Sequence, residues 1–401
     1  MNLHELLNEN LSLIEIGGQE NFFNARVWLT SGSALFVSHG NIEQFLGNLE
    51  KIYSVNEKVF SRFARKNIYK YIEDELIKYK REKKEFSENA IDTFFHQFEV
   101  QVSRSKYIIA PISGLRLNRA DKIKISMFEV GKAAQLNGII SNDSDGYYIA
   151  VKIDDVYDDL VAIDIAKNKF SDFIRLIVFM SGRNDKKIFL KIGLPSYPSI
   201  SHEQMYVETS SYCVADNIED EFPFGSTISN EYVEKIPVDD VFFCKNRNFS
   251  RLWDIYERSI TKKNTLEKRL LNAAIAIGES ALSKDVKNSI IYTSMAFEIL
   301  FSFDEGSLFQ KSIADRLADT FAFIVAVNKA TRLQTIKSVK EFYRLRSALV
   351  HGGDAKVNFD YILFNRLLSA AISELLNNAK YKEVKSIDAL YDMVKDAQNS
   401  Y

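Results

Sequence analysis

Two side chains near the end of the chain combine types suited to phosphate chemistry. Arg346 and His351 lie in Tyr343-Arg344-Leu345-Arg346-Ser347-Ala348-Leu349-Val350-His351-Gly352-Gly353. An arginine presents a planar fork of donors that matches phosphate oxygens. A histidine changes charge near neutral pH, which suits it to proton transfer. The stretch reads as the last turns of a helix stopped by two glycines, the first free to take the left-handed conformation that ends helices. A histidine at that end meets the negative pole of the helix dipole, which favours imidazolium. At 100° per residue, Arg346 and His351 diverge by about 140° around an ideal helix, whereas Arg344 and His351 lie within about 20°. Bringing Arg346 and His351 onto one substrate therefore requires a distorted helix end or a second copy of the helix.

Other chemistry finds little support in the residues. His4, His39, His96 and His202 pair with nothing at metal-ligand spacing, and there is no His-Glu-x-x-His. Neither a Gly-x-Ser-x-Gly elbow nor a Gly-x-x-x-x-Gly-Lys-Ser/Thr phosphate loop occurs. His39 reads as a turn residue before a helix and His202 as exposed after a Pro/Ser-rich loop. His96, between Phe94-Phe95 and Phe98, reads as packed. The acidic loop Ser141–Gly146 places its glycine wrongly for a calcium loop, and a hairpin turn is expected there. The run Lys78-Tyr79-Lys80-Arg81-Glu82-Lys83-Lys84 fits either an RNA contact or a solvated helix end whose cations suit the dipole. Glu73, Asp74 and Glu75 upstream favour the solvated end. Asp216 to Asp240 holds eight acidic residues and one lysine, reads as an irregular solvated loop, and would repel RNA.

The elements that must position these residues follow from composition. With 401 residues, 46% hydrophobic and 26% charged, the chain suits two or three folded domains. A net charge of -2 decides nothing about partners. Cys213 and Cys244 are too few for a disulfide framework or a cysteine-rich zinc site, which points to a reducing compartment. No leader is visible after Met1, and no apolar run reaches the length of a membrane span; Phe173–Met180 comes closest but is short and carries Arg175. A cytoplasmic protein with no membrane partner is expected.

All five prolines (Pro111, Pro195, Pro198, Pro223, Pro237) lie in the middle, leaving both flanks free to be helical. The expected class is α+β and multidomain: an N-terminal mixed α/β region (1–105), a β-rich domain (106–240), and an all-α bundle (245–401). In the first, strands are expected at Ser12–Ile16 and Ala25–Phe36, then helices at Ile42–Tyr53 and Glu57–Lys84. The second reads as strands Tyr107–Ile112, Lys122–Val130, Leu136–Ile140 and Tyr147–Ile153, a helix Asp158–Met180, and strands Lys187–Ile192 and Met205–Cys213. The third reads as helices Asn248–Ile260, Leu266–Leu282, Val286–Phe303, one after a Ser307-x-x-Gln310 capping box, one after a Thr331-x-x-Gln334 box, Phe359–Leu376 and Ile387–Gln398.

The spacing Arg346-x-x-x-x-His351 is that of the Arg-x(4–6)-His motif of HEPN domains. Phe342–Gly352 resembles the signature of the Apea-like HEPN branch. Ala296-Phe297-Glu298-Ile299-Leu300-Phe301 and Ile313-Ala314-Asp315-Arg316-Leu317-Ala318 resemble that branch's second and third helices. The resemblance covers roughly Leu266–Ala379; Tyr107–Leu115 resembles segments found upstream of such domains.

What the resemblance implies is a metal-independent endoribonuclease, needing no cofactor, that dimerises through its motif helices so that two Arg/His pairs form one composite site. Arg346 would hold the scissile phosphate of an RNA substrate. His351 would move protons as the ribose 2′-OH attacks, giving a cyclic phosphate and a 5′-OH end. Ser347 departs from the Asn, Asp or His common after the motif arginine, although serine can still position water or phosphate. Glu298 is expected either to orient Arg346 or His351 or to pair structurally with Arg316. Arg344, on the His351 stripe, is a supporting residue. Lys337 and Lys340 make this helix basic and are candidate RNA contacts. The implied role is an antiviral-defence or toxin-like effector acting in abortive infection, with a phage, antitoxin or other trigger partner. The competing expectation is a non-catalytic HEPN dimer that binds a ligand or partner. A nucleotidyltransferase arrangement is disfavoured, since no Gly-Ser precedes an Asp-x-Asp at short spacing.

Overall fold

A computed structural model describes residues 2–16, 25–28, 35–55, 57–88, 90, 93–136, 139–141, 146–182, 190–195, 210–211, 213–215, 224–226, 235–240, 243, 247–258, 260–283, 285–302, 313–351 and 360–399. The protein mixes α and β structure and divides into two compact units. The first comprises residues 1–106 and 153–166, the second 107–152 and 167–401.

The first unit opens on helix α1 (Leu3–Leu13), then strands β1 (Ile14–Ile16), β2 (Ala25–Trp28) and β3 (Leu35–Ser38), in sheet order β1-β3-β2. Helices α2 (Ile42–Val55), α3 (Glu57–Phe60), α4 (Arg65–Glu82) and α5 (His96–Glu99) follow. Two expectations are corrected. Residues Ser12 and Leu13 end α1 rather than begin a strand: Leu6, Leu7 and Leu11 form its buried stripe, and Asn2 and Glu5 close a capping box. The expected helix Glu57–Lys84 is two helices, because Ser61–Ala64 turns the chain and Asp158 receives the Ala64 N–H at 3.2 Å. The core is aromatic, with Phe60, Phe63, Phe94, Phe95 and Phe98 packed edge to face. His96 is exposed, not packed, since the short helix turns Phe94, Phe95 and Phe98 inward and its own ring outward. Three lysines of the basic run at the end of α4 are tied locally. Lys78 pairs with Glu75 and Lys84 with Glu82, while Lys80 donates to the Leu11 carbonyl.

Strands β4 (Arg104–Ser113) and β9 (Tyr147–Val156) and helix α6 (Asp159–Ser181) carry the chain across the unit boundaries. Between them lie β5 (Leu115–Arg116), β6 (Lys122–Ile125), β7 (Phe128–Lys132) and β8 (Ile139–Ser141). After α6 come β10 (Lys191–Ile192), β11 (Leu194–Pro195), β12 (Ser210–Ser211), β13 (Cys213–Ala215), β14 (Phe224–Ser226) and β15 (Ile236–Pro237). The main sheet has the order β10-β4-β9-β7-β6, with β13 also paired to β4. The expected strand Lys122–Val130 is a hairpin, β6 turning into β7 at Ser126, whose φ of 57° lies in the left-handed region. The acidic loop Ser141–Gly146, where a hairpin turn is expected, lies mostly outside the described residues. Strand β8 pairs in parallel with β14, while β9 pairs with β7 and β4. Nor is the end of the acidic stretch solvated. Ile236 and Val238 are buried, β15 pairs with β5, and the Asp239 carboxylate accepts the backbone N–H groups of Asn118, Arg119 and Ala120.

The helical part of the second unit runs α7 (Arg247–Glu257), α8 (Thr265–Leu282), α9 (Val286–Phe301), α10 (Ile313–Val325), α11 (Lys329–Val350), α12 (Tyr361–Asn377) and α13 (Ile387–Asn399). Helix α8 packs along α9 and α10 along α11, with α12 against α9 and α10. Phe297, Phe301, Phe321, Phe342 and Phe364 fill the space between them. Inside the bundle, the hydroxyls of Ser280 and Thr293 and the amide of Asn365 form a closed triangle of hydrogen bonds at 2.9–3.0 Å, fully buried and fully partnered. The Ser307 capping box lies outside the described residues. The other expected box is shifted: Asn328, not Thr331, caps α11, and Thr331 is its reciprocal partner.

Candidate active site

Helix α11 carries Arg346 and ends at His351. Its inward stripe is Thr335, Val339 and Phe342, and the Phe342 ring stacks on Phe364 with centroids 4.4 Å apart. The helix stays regular to its last turn, since the His351 N–H still donates to the Ser347 carbonyl at 3.1 Å. The ideal-helix geometry therefore applies, and Arg346 and His351 point to different faces. Arg344, Ser347 and His351 are exposed together on the outer side. Arg346 is half-exposed and continues the inner stripe. Gly352 and Gly353 lie outside the described residues.

The inward direction of Arg346 brings it to α9. Its Nη2 lies 3.5 Å from Glu298 Oε1, and the Tyr343 hydroxyl donates to the same oxygen at 3.4 Å. Both side chains of the ion pair are about one third exposed (37% and 34%), so solvent reaches the guanidinium and the carboxylate alike. Burial holds the Tyr343 phenol well above its ordinary ionisation range, helped by the Glu298 charge and opposed by Arg346. The Tyr343 ring meets Phe297 edge to face at 6.0 Å, which fixes the phenol over Glu298. The structure thus joins Glu298 to Arg346 and leaves His351 apart from both. Tyr343 belongs to this cluster and was not among the expected site residues. Its signal is the i,i+3 spacing to Arg346, which puts the two on one side of the helix.

The two candidate RNA-contacting lysines have carboxylate partners. Lys340 pairs with Asp315 at 2.5 Å and Lys337 with Glu341 at 4.0 Å. Among the described residues no group of three or more His, Cys, Asp or Glu side chains converges to hold a metal ion. Among the same residues no helix is long and apolar enough to cross a membrane.

Compared with known proteins, the chain matches no family model, no curated protein and no solved structure.

Proposed function

We propose that the protein is a HEPN-type, metal-independent endoribonuclease that works as a homodimer. One observation carries the reading. A regular helix ends in Arg-x4-His with the histidine exposed and the arginine held, still partly open to solvent, by a carboxylate from the neighbouring helix. The guanidinium would take the scissile phosphate and the charge that builds on it in the transition state, usually the largest catalytic contribution. The imidazole would accept the 2′-OH proton or protonate the leaving 5′-oxygen. Since one helix aims these groups apart, each Arg346 works with the partner subunit's His351. The biological role implied by the resemblance, RNA cleavage that halts growth in antiviral defence, belongs to the same proposal.

A non-catalytic, ligand- or partner-binding dimer is the second reading. The observation in its favour is that Arg346 already has a carboxylate partner. Wild type, Arg346→Ala and His351→Ala incubated with total RNA in EDTA separate the two. The nuclease reading expects cleavage by wild type, cyclic-phosphate ends, and loss of at least about 100-fold in each variant. Loss of wild-type cleavage on chelation contradicts the mechanism. An inert wild type that still dimerises supports the scaffold. Sizing of both variants ensures that a lost interface is not taken for lost chemistry.

A further inference from the structure

The exposed face at the start of α4, in the first unit, sets cations beside tyrosines whose rings pack against the core. Arg65, Lys66, Tyr69 and Lys70 line an open groove that ends at Glu73 and Asp74. The Arg65 guanidinium lies over the Tyr53 ring at 4.6 Å, and Arg62 lies over Tyr157 at 5.2 Å. Tyr53 and Tyr69 meet edge to face at 6.2 Å. Arg65 is tied to a carboxylate, Glu50 at 2.9 Å, and that pair is more than half exposed. Lys66 and Lys70 are exposed and, among the described residues, have no ion-pair partner.

Helix stability does not call for this pattern. The first turn of α4 holds no acidic residue, and cations there sit at the unfavourable end of the dipole. At the opposite end of the same helix, where cations are favourable, Lys78, Lys80 and Lys84 are tied up locally. Two guanidinium-on-tyrosine stacks beside two exposed lysines are the elements of a single-strand nucleic-acid track: charges follow the phosphates, and the outer guanidinium faces accept bases of any sequence. An acidic peptide would satisfy the charges but make no use of the outward guanidinium planes. The carboxylates of Glu73 and Asp74 close the groove and confine the anionic path to the first turns of α4. We propose that this face binds single-stranded RNA through its phosphates and bases. The surface shares no residue with the Arg346 and His351 site, and its test does not depend on cleavage.

The test uses full-length protein in EDTA, a fluorescent single-stranded RNA oligonucleotide, and anisotropy across a salt series. His351→Ala in every sample prevents cleavage. Lys66→Ala/Lys70→Ala removes two exposed side chains without touching the core, and circular dichroism checks that the fold is kept. Binding should weaken by about tenfold at 0.1 M salt, and the slope of log K against log salt should shrink by about 1.4, or 0.7 per lost phosphate contact. The control Lys78→Ala/Lys84→Ala at the other end of α4 should bind like the parent. The proposal is overturned if Lys66→Ala/Lys70→Ala binds unchanged, if the control loses as much, or if the parent does not bind RNA. It is equally overturned if an acidic peptide of the same charge binds as tightly, which would mark the face as a protein-docking surface.

Discussion

Arg346, Glu298 and Tyr343 form a unit whose geometry is more informative than any one member. A half-exposed ion pair at 3.5 Å contributes little stability, about 0.5 kcal/mol, because solvent screens it and both side chains lose freedom. Under the nuclease proposal its worth lies in aim: one carboxylate restrains a guanidinium that solvent, and so a phosphate, still reaches. Glu298→Gln is therefore expected to cost about 0.5 kcal/mol in urea melts yet to slow cleavage about tenfold, which is about 1.4 kcal/mol of barrier. Equal small effects on both would make Glu298 a structural partner only. The arginine and histidine were legible as types and spacing, and their 140° divergence followed from helix geometry alone. The partner of Glu298 was not decided by sequence, because Arg316 and Arg346 both fit a contact that depends on how α9, α10 and α11 pack. The outward turn of His96 was hidden for a similar reason: a cluster of phenylalanines marks a core without saying which neighbour faces away.

Among the elements, the helices of the second unit were read within a few residues, apart from the start of α10, whose expected Ser307 cap lies outside the described residues. Their apolar residues repeat at helical spacing, and no proline interrupts them. Helix α1 was missed although its signals were present: Asn2-x-x-Glu5 is a capping box, and Leu3, Leu6, Leu7, Asn10 and Leu11 make one face. The alternation Ile14-Glu15-Ile16 is strand-like and does form β1, but it extends back no further than Ile14. The cap of α11 was misplaced by three residues because Thr331 satisfies the same pattern as Asn328 and only the three-dimensional fold chooses between them. The pairing of β8 with β14 joins residues far apart in sequence, and no local pattern encodes it. One contact fixes how two long helices meet. At Gly278 on α8, an added Cβ would collide with the Arg175 carbonyl of α6. Backbone cannot yield as a side-chain tip can, so Gly278→Ala should lose about 3 kcal/mol, the upper range for overpacking. The Arg175–Glu279 ion pair beside it should be disturbed as well. A urea melt showing less than about 0.5 kcal/mol of loss would mean that the helices separate freely.

For the whole molecule, the mixture of α and β elements was foreseen, and the aromatic content that builds both cores has a consequence for pH. Burial raises the phenols of Tyr69, Tyr71, Tyr148, Tyr256, Tyr343 and Tyr381, those of Tyr71 and Tyr381 to about 12. A group whose folded pKa lies above its unfolded value binds its proton more tightly when folded. Its contribution is complete below the unfolded tyrosine value, near 10, and is lost as pH rises through the folded value. Stability should be level from pH 7 to about 9 and fall steeply above about 10. Tyr343→Phe should show a shallower alkaline decline than wild type. Urea midpoints at a series of pH values measure this, and a flat profile to pH 11.5 would contradict it.

Two copies of α11 per active site is the claim on which the functional proposal turns, and mixing two inactive variants addresses it directly. Arg346→Ala and His351→Ala are each purified, combined, allowed to exchange subunits, and assayed on RNA in EDTA. If each Arg346 acts with the partner subunit's His351, the mixed dimer keeps one complete pair. Cleavage should then return to about a quarter of wild type, because half of the dimers are mixed and each of those holds one of two pairs. A mixture that exchanges subunits but stays as inactive as its components would show that no such pairing across subunits exists.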